Sequence, residues 1–522
     1  MVPLLCAIAC GLAFALSLPP FDQAYLGWIA LAPLFFAVSG RRPLESVGLG
    51  IVAGLVCAVF SARWHPDGTR LFWGYLPFLW ITIVFSLSAL AACRFRRHLL
   101  SLQWVTAVSC AGIFLEWIST WLPLPIHIGL SQYRNIPLIQ IASITGIWGV
   151  SLLLWLTNAA IADALLQRRA LTAPLGVCAG LVGAALGFGW TQTSHKTAAP
   201  EIQVAAIQDY SGDETNGLAP EPAFSADREE MTVAATGPTP ARSSLSPPEG
   251  KGLRSVVPAT TKTKEAHIHP ARRTFAHVRK EYLGPRPAAE TPPARLVVWS
   301  EECLGYGFDP VGDRDPTRAL ARERDTVIVA GFNDSARPKP HNCAGVVDSD
   351  GRTAGVFQKQ HLYLSERETN MPGRQIPAVR TAIGKVGAEV CFDNCYTGVT
   401  RSLAASGAQI VAMPNYDPPT PRGVLHSLHS AFLPFRAVEN HVPFVRSDSN
   451  GLSQIVDAHG RILAQGPLYQ AAIVTARLPL GDGRGTFFTK TGDWLAWLCI
   501  EGFLWIALSP SFMRRTLKHE AV

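Results

Sequence analysis

Charge is what this sequence has least of. Asp, Glu, Lys and Arg make up 16% of its 522 residues, against about 25% in an ordinary soluble protein, while hydrophobic residues reach 48%. That balance argues against an all-soluble chain. The shortage is uneven: residues 1 to 190 hold only 15 charged side chains and no lysine, and the remaining 332 residues hold 70. The chain therefore meets two solvents. A formal net charge of +7 is modest for this length and rests partly on arginines flanking apolar runs, so it gives no reason to invoke nucleic acid. There is neither a GxxxxGK[ST] loop nor a GxGxxG after a strand, which leaves nucleotide use without support. Eleven cysteines, six of them in the apolar N-terminal part, do not read as a disulfide framework in so long a chain. No internal repeat of fixed period is visible.

What is present first is apolar length. Runs near the length needed to span a bilayer cover about 4 to 18, 24 to 39, 46 to 62, 72 to 93, 102 to 122, 146 to 166 and 172 to 190, and an eighth covers 494 to 508. The first lacks a basic leader and an A-x-A-like cleavage site, so it is expected to be a retained helix. Arg41 and Arg42, then Arg94, Arg96 and Arg97, then Arg168 and Arg169 follow the second, fourth and sixth runs. The alternate connections are poorer in charge, with Arg63 and Arg70 in the third and Arg134 in the fifth. Short cytoplasmic loops carry the Lys/Arg excess, which places the large region after the seventh run outside the cytoplasm. Arg514, Arg515 and Lys518 place the tail 511–522 inside.

The outer region has ordinary globular charge and alternates β-type runs (Ile202 to Gln208, Leu296 to Trp299, Thr326 to Ala330, Ala388 to Phe392, Ile410 to Met413, Val442 to Arg446) with helical stretches such as Ala271 to Tyr282 and Ser427 to Asn440. Alternation of this kind predicts an α/β sheet with crossover helices. Residues 211–266, rich in Pro, Ser, Thr, Gly and Ala, are expected to be a disordered insertion. The expected organisation is a transmembrane domain 1–195, an outer domain 198–488, a last membrane helix 492–510 and the tail.

Three strings in the outer region carry reactive groups: Leu296 to Glu302, Val356 to Leu362 and Gly387 to Asp393. Each delivers one group at or near the end of a β-type run, where α/β sheets build sites. Glu301, Lys359 and Cys391 together make an acyl-transfer set: a thiol to attack a carbonyl, a carboxylate to take its proton, and an ammonium to favour thiolate and oxyanion. Each has a blander reading. Cys391 at a strand end is by default a core thiol, Lys359 a solvated charge, and Glu302 rivals Glu301 because successive strand residues face opposite sides. His426, His429 and His441 lack a spaced carboxylate or cysteine set, so they read as core or surface histidines rather than ligands. Cys395 could pair or resolve a disulfide, but reads first as packed. Glu116 and Asp163, inside or at the ends of membrane runs, are either functional or snorkelling to the interface.

In order along the chain stand Leu18-Pro19-Pro20-Phe21, Gly129-Leu130-Ser131-Gln132-Tyr133, Pro137 to Ala142, Gly149-Val150-Ser151, Lys359-Gln360-His361-Leu362, Cys391-Phe392-Asp393, Arg436 to Asn440 and Thr491-Gly492-Asp493-Trp494. With these motifs the chain resembles the apolipoprotein N-acyltransferases, a membrane branch of the nitrilase superfamily. The resemblance implies a bundle of about eight transmembrane helices carrying an extracytoplasmic αββα sandwich, in the inner membrane of a bacterium with the catalytic domain on the periplasmic side. It implies transfer of an acyl chain from a phospholipid donor, through a cysteine thioester, to the α-amine of a diacylglyceryl-modified apolipoprotein. The family's glutamate, lysine and nucleophile fall on Glu301, Lys359 and Cys391. Its supporting acid falls on Glu366 or Glu368, with Glu366 preferred, and Asp393, Asn415 and Tyr416 fall where substrate-positioning residues stand. No metal or organic cofactor is implied, and no sequence signature calls for more than a monomer.

The chain departs from the family in reading Trp299-Ser300-Glu301 for Trp-Pro-Glu, Asp393 for Glu, and Asn415-Tyr416-Asp417 for Asn-Asp-x-Trp. Two other readings stay open: a membrane-tethered amidase whose thioester is resolved by water, and a non-catalytic membrane scaffold.

Overall fold

The computed structural model describes residues 1–62, 71–121, 125–194, 199–209, 293–312, 315–418 and 424–509. The insertion 211–266, the helix expected at Ala271 to Tyr282, Arg63 and Arg70, and the tail 511–522 lie outside the described residues. Among the described residues, five helices are long and apolar enough to cross a membrane: Pro43–Phe60, Leu79–Arg96, Ser101–Ser119, Ile147–Gln167 and Ala173–Ser194. Val2–Ser17 and Trp494–Leu508 are apolar but only 16 and 15 residues long, about 24 Å at 1.5 Å per residue, against a hydrocarbon core of about 30 Å.

The second apolar run is not one continuous helix. Residues 24 to 39 form a 3-10 turn, Ala24–Trp28, and a separate seven-residue helix, Ala32–Val38. In a membrane-type bundle such a break needs polar partners, and one side chain supplies them. Asn158, fully buried on Ile147–Gln167, accepts from the Leu31 and Ala32 amides at 2.7 and 3.1 Å and donates to the Gly27 carbonyl at 2.9 Å. The arginine-bearing connections meet at one end of the bundle. The Arg41 carbonyl accepts from Arg97 at 2.5 Å and from Cys93 Sγ at 3.0 Å, and Arg96 pairs with Asp163 at 2.5 Å.

Among the described residues, twelve strands build the outer domain: β1 Glu201–Gln208, β2 Leu296–Trp299, β3 Val327–Asn333, β4 Asn342–Val347, β5 Thr353–Gln358, β6 Val379–Thr381, β7 Gly384–Ala388, β8 Ile410–Tyr416, β9 Phe444–Ser449, β10 Gln454–Val456, β11 Ile462–Gln465 and β12 Ala472–Pro479. They form two six-stranded sheets, ordered β12-β1-β2-β3-β4-β5 and β11-β10-β9-β8-β7-β6. Within them β1, β2 and β3 run parallel, as do β7, β8 and β9. The side-chain period of two sorts the first sheet. Val204, Ala206, Leu296, Val298, Val327 and Val329 join the core between the sheets. Their neighbours Ala205, Ile207, Val297, Trp299, Ile328 and Ala330 pack outward on Leu320 and Ala321 of the Pro316–Arg324 helix.

Two expected elements differ. The run Ala388 to Phe392 is not a strand to its end: β7 stops at Ala388 and Cys391–Cys395 is a 3-10 turn entered with Cys391 at φ +47°. The helix Ser427 to Asn440 is two, Val424–Ser430 and Phe432–Asn440, because Pro434 has no N–H for the Ser430 carbonyl and its ring crowds that turn. The sandwich and the bundle are joined by polar contacts. Glu439 Oε1 accepts from the Ile147 amide at 2.8 Å, at the start of a membrane-type helix. Asp493 accepts from Trp148 Nε1 at 2.7 Å and Thr397 Oγ1 at 3.0 Å, and Gln140 donates to the His459 carbonyl at 2.9 Å.

Candidate active site

Glu301 follows β2 by two residues, Lys359 follows β5 by one, and Cys391 follows β7 by three. The first two come from one sheet and the third from the other. The sheets are tied together there, since the Glu301 amide donates to the Asn415 carbonyl at the end of β8. All three side chains are buried, Lys359 at 1% exposure. A lysine is buried so completely only when its charge is met. Lys359 Nζ donates to Glu301 Oε1 at 2.8 Å and to Glu366 Oε1 at 2.7 Å. Asn342 Nδ2 donates to the same two oxygens, at 2.6 and 3.2 Å, and its carbonyl accepts from the Lys359 amide.

The two ambiguous acids are separated by backbone geometry. Glu302, at φ +52°, is exposed and accepts from Asn333, whereas Glu301 turns inward. Glu366 Oε2 accepts from the Tyr363 amide at 2.7 Å, which aims its other oxygen at Lys359, while Glu368 is exposed.

Burial sets the protonation balance. It pushes the Glu301 carboxyl up to about 7, with Lys359 opposing and Glu366 and Glu302 assisting. Burial alone would lower Lys359, but the charges of Cys391, Glu301 and Glu366 outweigh it and hold its ammonium well above the usual range. Burial also raises the Cys391 thiol well above its ordinary value, helped by Glu301 and opposed by Lys359. The resting thiol therefore keeps its proton, with a carboxylate titrating near neutrality close enough to influence it.

Asp393 is buried and held by four N–H donors. Its carboxylate accepts from the Gln360 and His361 amides at 3.1 and 2.8 Å, from His361 Nδ1 at 3.0 Å and from the Val390 amide at 3.3 Å. It fastens the loop after Lys359 to the turn that carries Cys391. Tyr416 meets Cys391 through its main chain: Sγ lies 3.6 Å from the Tyr416 carbonyl, and the tyrosine is 42% exposed. Asn415 is fully buried.

Sequence reasoning did not single out Asn342 or Arg446, met Asp417 only within a departing motif, and set His429 aside as a core or surface histidine. Asp417 pairs with His429 Nδ1 at 2.8 Å and with Arg446 at 2.6 Å; Arg446 also pairs with Asp448 at 2.6 Å. Burial would raise Asp417, but His429 and Arg446 hold it well below the usual carboxylate range. The available signals were the acid in Asn415-Tyr416-Asp417 and the HxxH spacing of His426 and His429. Cys391, Asp417 and His429 place one donor atom each within 4.8 Å of the others. His429 faces Asp417 through Nδ1 and the Cys391 backbone carbonyl through Nε2, and Asp417 also holds Arg446. Cys395 is buried, and among the described residues no disulfide joins any of the eleven cysteines.

The two membrane-run acids are buried inside the protein. Glu116, 3% exposed, accepts from Trp155 Nε1 at 2.8 Å and the Ile128 amide at 3.1 Å, with His127 Nδ1 at 3.2 Å. Asp163, fully buried, holds Arg96 and accepts from Gln167 at 2.7 Å. Snorkelling is thus corrected to buried pairing.

Residues 259–486 match the carbon-nitrogen hydrolase family, and residues 10–160 match the apolipoprotein N-acyltransferase N-terminal domain. An apolipoprotein N-acyltransferase of Geobacter metallireducens is 28% identical, covering 99% of this chain and 96% of that one. Apolipoprotein N-acyltransferase 2 of Treponema pallidum is 24% identical, covering 95% and 93%. Among solved structures, an amidase from Nesterenkonia sp. is 17% identical, with a TM-score of 0.37 over 57% of this chain and 98% of that one. With both of the family's domains matched in order and its named members aligned along nearly the full length, the chain belongs to the apolipoprotein N-acyltransferase family of the nitrilase superfamily.

Proposed function

We propose that the protein N-acylates lipoproteins: it moves a fatty acyl chain from a phospholipid to Cys391 and then to the terminal amine of a diacylglyceryl-cysteine acceptor. The observation that carries this reading is the convergence of Glu301, Lys359 and Glu366 with Cys391 at strand ends of a nitrilase-like domain fastened to an apolar bundle. Glu301 takes the thiol proton as sulfur attacks the ester carbonyl. Lys359 has three ammonium protons, two of them engaged by Glu301 and Glu366, and the third serves the developing oxyanion together with backbone amides. Collapse breaks the ester C–O bond, and the lysolipid oxygen leaves with the proton from Glu301. In the second half the acceptor amine attacks the thioester, Glu301 takes the amine proton, and the C–S bond breaks as the leaving sulfur recovers that proton from Glu301, restoring the Cys391 thiol and the carboxylate. Glu366 and Asn342 hold Lys359 and Glu301 in place.

Further parts of the same reading concern placement. Residues 1–195 and 492–510 lie in the bacterial inner membrane as about eight crossings, with the shorter helices Val2–Ser17 and Trp494–Leu508 among them, and 198–488 lies on the periplasmic side. The arginine-bearing end of the bundle then faces the cytoplasm. Both substrates are lipid-anchored, so a monomer meets them by lateral diffusion.

The test is mass spectrometry of the purified protein after incubation with a phospholipid of defined chains, with Cys391→Ala as control. An acyl mass on the Cys391 peptide, labile to hydroxylamine and discharged by a diacylglyceryl-cysteine peptide faster than by water, is expected. An adduct that decays equally fast without the acceptor would favour the amidase reading, and no adduct at all would overturn acyl transfer.

A further inference from the structure

The Asp417–His429 pair is not used in the chemistry above, yet it ends on the nucleophile. His429 Nε2 lies 3.3 Å from the Cys391 carbonyl oxygen, and Nδ1 lies 2.8 Å from Asp417 Oδ1. Both partners are oxygens that can only accept, so both ring nitrogens donate. The ring is buried at 2% exposure, and Asp417 is anchored from behind by Arg446 and by its own amide, which donates to Asp448 at 3.1 Å. A chain of buried groups thus ends on one peptide unit, 391–392, which is trans. In a trans peptide the C=O and the following N–H point in opposite directions within one rigid plane. Whatever holds the Cys391 carbonyl therefore aims the Phe392 N–H.

That N–H belongs to the first turn of Cys391–Cys395, where amides lack a partner within the turn. It also belongs to the residue after the nucleophile, the position from which an amide can reach an oxyanion formed on the attacked carbonyl. Cys391 itself sits at φ +47°, a conformation a non-glycine residue holds only under constraint from its surroundings.

We infer that His429, held by Asp417, is a positioning residue for acyl transfer: it fixes the 391–392 peptide so that the Phe392 N–H is presented to the oxyanion. The inference rests on the acyl-transfer reading of the same site. It separates oxyanion stabilisation from thiol reactivity, because alkylation by iodoacetamide displaces iodide at carbon and forms no oxyanion.

The experiment follows two rates on the Cys391 peptide of the full-length protein by mass spectrometry: acylation by phospholipid and alkylation by iodoacetamide. His429→Ala is expected to slow acylation by about 10²–10³-fold, the size of losing an oxyanion donor, while alkylation stays near the rate of the unaltered protein. His429→Gln, which keeps an N–H for the carbonyl, is expected to recover part of the loss. Undiminished acylation in His429→Ala overturns the inference, as does a parallel fall of both rates or a Gln variant no better than Ala. The unaltered protein distinguishes the two readings. If it forms no acyl adduct, the acyl-transfer reading fails and takes this inference with it; if it does and His429→Ala acylates equally fast, only the inference fails.

Discussion

The bundle and the outer domain both bury carboxylates, and they treat them differently. Glu116 is enclosed by an indole N–H, an amide and a histidine, and Asp163 by a guanidinium and an amide side chain. Neither stands beside a nucleophile. Glu301 is as buried, yet it shares one lysine with Glu366, is pushed up to about 7, and influences a thiol directly. Burying a charge is costly in either place. The lesson is that a buried acid alone does not mark chemistry. A buried acid that titrates near neutrality beside a nucleophile does.

Four substitutions test that contrast. The largest effect is expected from Cys391→Ala, which should abolish the acyl adduct while leaving the protein folded, as judged by its melting curve. Glu301→Gln should come next, slowing adduct formation by about 10²–10⁴-fold, the range for losing a general base. The sign of the pH dependence follows from the base form being the active one. With Glu301 present the acylation rate should rise with pH through about 7, and a pH profile of Glu301→Gln should lose that limb; a limb that survives assigns the base elsewhere. Glu116→Gln should sharpen the contrast from the other side, costing about 1–3 kcal/mol of stability through its weakened hydrogen bonds. It should lower the melting temperature while the acylation rate of the folded protein stays close to normal. The smallest effect belongs to Glu368→Ala, an exposed neighbour of the supporting acid, within about 0.5 kcal/mol by thermal melting. A loss of activity there comparable to that of Glu366→Gln would show that the wrong acid had been paired with Lys359.

The places where sequence reasoning stopped have identifiable causes. Glu301 and Glu302 are adjacent and chemically identical, and only the positive φ of Glu302, which sends its side chain to Asn333, separates them. Glu366 and Glu368 are separated by a bond from Glu366 to the Tyr363 amide. Asn342 offered no signal, because an asparagine at the start of a strand is ordinary until its amide is seen between two carboxylates. The second apolar run had the right length and hydropathy for a span. What breaks it is a partner more than a hundred residues away, Asn158, which satisfies the backbone at the break.

Apolar length, arginine placement and short apolar β-type runs such as Leu296–Trp299 are local properties of the chain. They determined by themselves that a membrane-type bundle carries an α/β domain, and they put Glu301, Lys359 and Cys391 at or near strand ends. Which side chains converge is a property of distance between segments far apart in sequence. Only the folded sandwich brings the ends of β2, β5, β7 and β8 together, and only there does burial raise Glu301 and turn Asp417 and His429 toward Cys391. The physical reason is that desolvation and hydrogen bonding act at a few ångströms through space, and sequence spacing does not encode those distances.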